Sequence, residues 1–269
     1  MFRFTVARML RSFAAAALFA TTAAPANEAL LLVQRVHDRP AGRDVTTVSR
    51  MELTDRAGAL RTRELVTYRT ESSKGEFQSL ARFLSPADIA GTGLLNMDKA
   101  DGSSEQWLYL PALDRVRRVA SDRKGGRFVG SDLYFEDLQT RKPESDKHRI
   151  VARETIEGVN CEVIESVPVD PTNSVYKRRL SWVDPALALV MRVDFFEKDE
   201  TKPSKRWVLL AKQRIQGYWA AMDSKTVDLV SGNETRMVAL TVKFDRKLPS
   251  KLFTSRALSD ETIEAGYRP

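Results

Sequence analysis

The sequence predicts a mainly β protein built as an antiparallel meander, and three observations predict it. Apolar and polar residues alternate with period two along most of the chain. Clusters rich in Gly, Asp, Ser and Pro interrupt that alternation at short intervals, and helix-period stretches are few.

Residues 1–26 come before this pattern and read as a secretory signal peptide cleaved near Ala26. Arg3, Arg8 and Arg11 stand there without an acid, followed by an apolar run from Phe13 to Ala20 and the small-residue pattern Ala24-Pro25-Ala26. The run is shorter than the roughly 20 apolar residues that a membrane-spanning helix needs. Asn27 and not Cys follows the expected cut, so no lipid anchor is implied. The rest, 27–269, is expected to form a single domain of 243 residues with formal charge +4, located in the periplasm.

Residues 27–38 carry Leu30, Val33 and Val36 as a partial apolar stripe, which predicts one amphipathic helix. After Pro40-Ala41-Gly42 the period switches to two. Val45, Thr47, Ser49, Met51 and Leu53 alternate with polar neighbours, and Asp55-Arg56-Ala57-Gly58 turns the chain into a second run over 59–70. A third strand at 76–85 puts Phe77, Ser79, Ala81 and Phe83 on one side and Leu80, Arg82 and Leu84 on the other. Gly91-Thr92-Gly93 reads as a bend into a strand at 94–97. Further strands are expected at 105–110, 115–119, 148–156, 159–167, 175–183, 187–197, 205–215 and 235–244, with short helical turns at 85–88 and 132–139.

The inventory is poor in chemistry. His37 and His148 are the two histidines and share no metal-ligand spacing, so no metal site is expected. There is no G-x-S-x-G elbow and no nucleotide fingerprint, and Asp98-Lys99-Ala100-Asp101-Gly102 lacks half the ligands of a calcium loop. Cys161 is alone, which excludes an internal disulfide, and its setting among apolar residues predicts a small core side chain. No cofactor is implied.

Trp107-Leu108-Tyr109-Leu110 and Trp207-Val208-Leu209-Leu210 are apolar on both faces, so both sides of the sheet must be covered there. A filled two-layer core and an open cavity predict the same pattern. The stretch 114–127 holds six basic side chains and reads as a hairpin, either a charged edge that stays soluble or a surface for acidic head groups or a partner. Its candidate contacts are Arg115, Arg117, Arg118, Arg123 and Lys124.

The block Phe83-Leu84-Ser85-Pro86-Ala87-Asp88-Ile89-Ala90-Gly91-Thr92-Gly93-Leu94-Leu95, then Gln106-Trp107-Leu108-Tyr109-Leu110-Pro111-Ala112, Arg115-Val116-Arg117-Arg118-Val119 and Gly130-Ser131-Asp132-Leu133-Tyr134-Phe135-Glu136-Asp137-Leu138, resembles the outer-membrane lipoprotein-sorting protein family, relatives of the LolA and LolB carriers. The resemblance implies an incomplete, strongly curved antiparallel β-barrel with a few helices lining or plugging its open side around a hydrophobic cavity for acyl chains. It also implies a protein that is not an enzyme, and sometimes an inner-membrane transporter of the resistance-nodulation-division type as partner.

Together these readings predict a periplasmic carrier that binds the acyl chains of a lipid or lipoprotein and moves them toward the outer membrane, touching membrane surfaces transiently and binding no nucleic acid. Strand faces nominate Phe83, Leu94, Trp107, Tyr109, Trp182, Met191, Phe195 and Trp207 as cavity lining. The alternative is a non-enzymatic periplasmic adaptor of such a transporter, docking through 115–127. An enzyme acting on an envelope lipid is a third reading.

Overall fold

The computed structural model describes residues 24–120, 123–198 and 201–269. The expected leader lies almost wholly outside them. Strands β1 (Asp44–Thr54), β2 (Leu60–Ser73), β3 (Glu76–Ser85), β4 (Gly93–Asp98), β5 (Ser104–Leu110) and β6 (Arg115–Arg118) form one arm of the molecule. Strands β7 (Asp146–Ile156), β8 (Val159–Pro168), β9 (Arg178–Asp184), β10 (Leu189–Phe196), β11 (Lys205–Ile215), β12 (Tyr218–Asp228) and β13 (Glu234–Phe244) form the other. All thirteen belong to one curved antiparallel sheet, with β1 paired to β13 at its centre. The sheet is not closed. Its edges are β6 and β7, and residues 119–145 cross from one edge to the other.

Alternation along each strand divides the sheet into two covered faces. On the inner face, Met51, Leu53, Leu65, Phe83 and Leu94 form a buried cluster with Phe128 of the crossover, and Leu108, Leu133, Phe135, Leu138 and Met237 pack against it. The outer face of the first arm is covered by the C-terminal segment. Val66, Tyr68, Leu80 and Leu95 pack there with Leu252 and Phe253 and with Ala257 and Leu258 of a short helix, α2 (Ser255–Ser259). The expected division of β3 therefore holds, with Phe77 to Phe83 inward and Leu80 to Leu84 outward.

The N-terminal helix α1 (Ala24–His37) lies beside β7 and starts three residues earlier than its pattern predicts. Ala29 and Leu32 are buried on Ile164 and Val183, and the expected Val33 and Val36 pack against them, whereas the expected Leu30 does not join the cluster.

Three expectations need correction. β12 was not predicted, because Ala220-Ala221 and Asp223-Ser224-Lys225 give weak alternation and poor strand preference. The expected turn at 85–88 is a single hydrogen-bonded turn, with the Ile89 and Ala90 amides both donating to the Pro86 carbonyl, but without the expected Ser85 and Asp88 cap. The basic stretch 114–127 is no hairpin tip. β6 is a sheet edge, and the chain after it folds back under the inner face.

Candidate acyl-binding cavity

The inner face and the crossover enclose a void of about 220 Å³. Met51, Leu65, Phe77, Ala81, Leu94, Phe128, Leu133, Leu138 and Met237 give it apolar walls, and Thr67, Arg69, Ser79, Asp98 and Thr140 make the polar part of its lining. A second, larger and more open cavity of about 930 Å³ lies between the end of α1, the start of β1, the β2–β3 turn and residues 142–144. Most of its lining residues are polar or charged, with Gln34, His37, Arg39, Arg43, Glu71, Lys74, Lys142 and Glu144 among them. Arg69 and Phe77 line both, so the polar mouth and the apolar void meet at this pair. By comparison with a void of about 150 Å³ that holds benzene, the inner one has room for about nine carbons of a chain.

The crossover is fastened at both arms. Over the first arm, Gln106 Nε2 donates to the Phe135 carbonyl at 2.9 Å, and the Thr140 amide donates to Asp98 Oδ2 at 2.8 Å. The rings of Phe83 and Phe128 stand 5.6 Å apart. Over the second arm, Asp137 receives the Tyr176 hydroxyl at 2.7 Å and the Lys205 ammonium at 2.5 Å. Lys205 Nζ also sits 3.6 Å from the centroid of the Tyr134 ring, inside the range of a cation–π contact. Burial drives the Lys205 ammonium below its ordinary range, and the Asp137 carboxylate opposes that shift. Burial, with Asp137 beside it, pushes the Tyr176 phenol far up. Near the β7 edge, His148 Nδ1 faces Ser166 at 2.8 Å and its Nε2 faces the Pro143 carbonyl at 2.7 Å, so this histidine pins the end of the crossover.

The eight nominated lining residues do not gather at one place. Leu94 lines the apolar void and Phe83 is buried in the cluster that walls it. Trp107 and Tyr109 point to the outer face and pack under the C-terminal segment, because they oppose Leu95 and Gly93 in the ladder and not Leu94. Trp182, Met191 and Trp207 pack with Cys161, Val163 and Leu209 in a separate cluster of the second arm. Phe195 lies against Tyr176, with ring centroids 4.7 Å apart. An aromatic strand pattern records burial but not which face is buried, which is why these side chains looked alike in the sequence.

The basic candidates also separate. Arg115 and Arg117 are exposed on β6, and Arg118 pairs with Glu105 at 2.7 Å. Arg123 is exposed, whereas Lys124 turns inward to the Asn173 carbonyl at 3.1 Å. Cys161 is buried, as its setting predicted, and burial raises its thiol. Among the described residues no group of His, Cys, Asp and Glu side chains is placed to hold a metal ion, and no helix is long and apolar enough to cross a membrane.

Residues 75–260 match a family that carries the description uncharacterized protein. The chain belongs to that family. Its fold is that of a DUF1329 family protein from Desulfovibrio piger, with TM-score 0.82 and 25% identity over 87% of this chain and 99% of that one. A domain provisionally assigned to outer membrane lipoprotein sorting, from Vibrio parahaemolyticus, gives TM-score 0.81 and 28% identity over 87% of this chain and 100% of the other. A LolA superfamily protein from Nitrosomonas europaea shares the fold at TM-score 0.66 and 18% identity, over 86% and 98% of the two chains. No curated protein matches the chain. The resemblance to the lipoprotein-sorting proteins, read from residues 83–138, and the open curved sheet that it implied are both upheld.

Proposed function

We propose that this protein is a periplasmic, non-enzymatic carrier that holds an acyl chain of a lipid or lipoprotein on its inner face and moves it toward the outer membrane. The observation that carries this reading is the apolar void beneath the crossover, which opens through Arg69 and Phe77 onto a wide polar mouth. The kinship with a domain assigned to lipoprotein sorting supports the cargo class. The signal-peptide pattern of residues 1–26 supports the compartment.

The energetics suit a shuttle. Each buried methylene is worth about 0.8 kcal/mol against water, but most of that cancels when the chain leaves one apolar environment for another. Loading and release then rest on smaller differences, such as the position of the crossover.

Filling the void tests the reading. Ala81 is a small side chain in its wall, so Ala81→Phe should lower the affinity for an acyl probe about tenfold or more while the far-ultraviolet circular dichroism stays unchanged. Purified protein that carries no acyl species by native mass spectrometry, and binds none when lipid is added, would overturn it.

A further inference from the structure

Arg69 stands where the two cavities meet. Its Cζ lies 4.2 Å from the centroid of the Phe77 ring, and no acceptor among the described residues is within hydrogen-bond or ion-pair reach of its guanidinium. The acids around the mouth are already engaged. Asp38 faces His37 Nδ1, Asp44 receives the amides of Arg246 and Leu248, Glu71 receives the amide of Gly75, and Glu144 receives Gln34 Nε2. Asp98, in the wall of the void, spends Oδ2 on Asn96 and the Thr140 amide, and its Oδ1 is buried without a partner. His37 Nε2 is buried without a partner, and its ring stands edge-on to the same Phe77 at 5.6 Å.

A half-buried guanidinium that faces an open mouth and engages no protein acceptor is free to take a ligand's, and its planar fork of five donors fits a carboxylate or a phosphate. Apolar walls on one side and an open polar mouth on the other give the site two ends of different chemistry. We propose that Arg69 is the head-group site of this cavity, and that the ligand is a single-chain amphiphile with an acidic head, carboxylate or phosphate, whose tail enters the void of Met51, Leu94 and Phe128. This rests on the carrier reading and adds to it the polarity and charge of the cargo.

Arg69 then acts as a specificity residue. Burial lowers its basicity and the Asp98 and Glu71 carboxylates counter that effect, and a guanidinium stays charged in proteins. An entering anion meets that charge on the mouth side of the Phe77 ring.

Isothermal titration of the processed, delipidated protein with dodecanoate, dodecyl phosphate and dodecanol separates head from tail. The expected result is that one or both acids bind about tenfold or more tighter than the alcohol, as a charge-assisted bond supplies. Preference for dodecanoate alone assigns a fatty carboxylate, and preference for dodecyl phosphate alone assigns a phosphate head. Arg69→Gln should bring the acids to the affinity of dodecanol, which itself changes less than about twofold on this account. Arg69→Lys keeps the charge and should keep a weaker preference, which supplies the test if Arg69→Gln does not fold. Equal affinity for acids and alcohol in the unmodified protein, or a parallel loss of all three in Arg69→Gln, overturns the head-group site and leaves the carrier reading standing. Binding of none of the three overturns both.

Discussion

Arg82 shows how much of this molecule depends on one side chain. It points to the outer face from the middle of β3 and is fully buried, as is its ion-pair partner Glu264, 3.4 Å away. Its guanidinium donates to the carbonyls of Gly91, Ala257 and Leu258 at 2.6–2.7 Å, so it satisfies the end of α2, where helical carbonyls lack partners, and fixes the C-terminal segment to the sheet. Gly93 makes room for it. A Cβ there would stand 2.8 Å from Arg82 Nη1 and 3.0 Å from Leu258 Cδ2, which is the close approach that the paired glycines of the bend serve. Arg268 completes the set by donating to Glu264 and Glu261 at 2.7 and 2.8 Å. Arg82→Met leaves Glu264 paired with Arg268 but strips the Gly91, Ala257 and Leu258 carbonyls of a buried donor, at a cost of about 3 kcal/mol or more. The variant should therefore lower the urea midpoint by that amount of stability. A loss below about 1 kcal/mol would mean that Arg82 does not anchor the segment.

At the scale of elements, β6 is one of the two edges of the sheet. It pairs on one side with β5, and its other edge carries the exposed guanidiniums of Arg115 and Arg117, a charge pattern that opposes edge-to-edge association. The same charges suit an anionic membrane surface, where each basic side chain contributes about 1 kcal/mol. Arg115→Glu with Arg117→Glu should reduce retention on anionic phospholipid vesicles about tenfold or more and leave dodecanoate affinity unchanged. Unaltered retention would show that the edge is charged for solubility alone. The strands were legible because each is a local pattern. β12 was missed along with its turn, where Gln216 and Gly217 both take positive φ in a two-residue hairpin, the geometry that Asn-Gly pairs usually mark. The crossover and the C-terminal cover were not legible. Phe128, Leu133 and Leu138, like Leu252 and Leu258, find their partners in strands far away along the chain, and no local period records such contacts. For the same reason Leu94 was found as a wall of the cavity, whereas Arg69, Phe77 and Met237 were not named.

At the scale of the whole molecule, the crossover decides what the open sheet can do. Among the described strands the two arms are joined through the β1–β13 ladder in the centre, so a segment that spans from edge to edge both covers the cavity and couples the arms. Over the first arm it is held by apolar contact with Phe83 and Leu94, which an acyl chain can replace with little change in environment, and by the hydrogen bonds of Gln106 to the Phe135 carbonyl and of the Thr140 amide to Asp98. Over the second arm it is held by Asp137 between Tyr176 and Lys205, contacts that no acyl chain can replace. The buried ion pair of Lys205 with Asp137 makes the second arm the more firmly held end of the crossover. Lys205→Met removes the ammonium from Asp137 and from the Tyr134 ring. Hydrogen exchange at residues 134–138 should then rise about tenfold or more, equivalent to about 1.4 kcal/mol of local stability, while exchange in β1, β2 and β3 stays as before. Acyl-probe dissociation should quicken in the same variant. A uniform rise across the sheet would place the crossover in one cooperative unit with the strands, and loading would then have to proceed through the mouth with the cover closed.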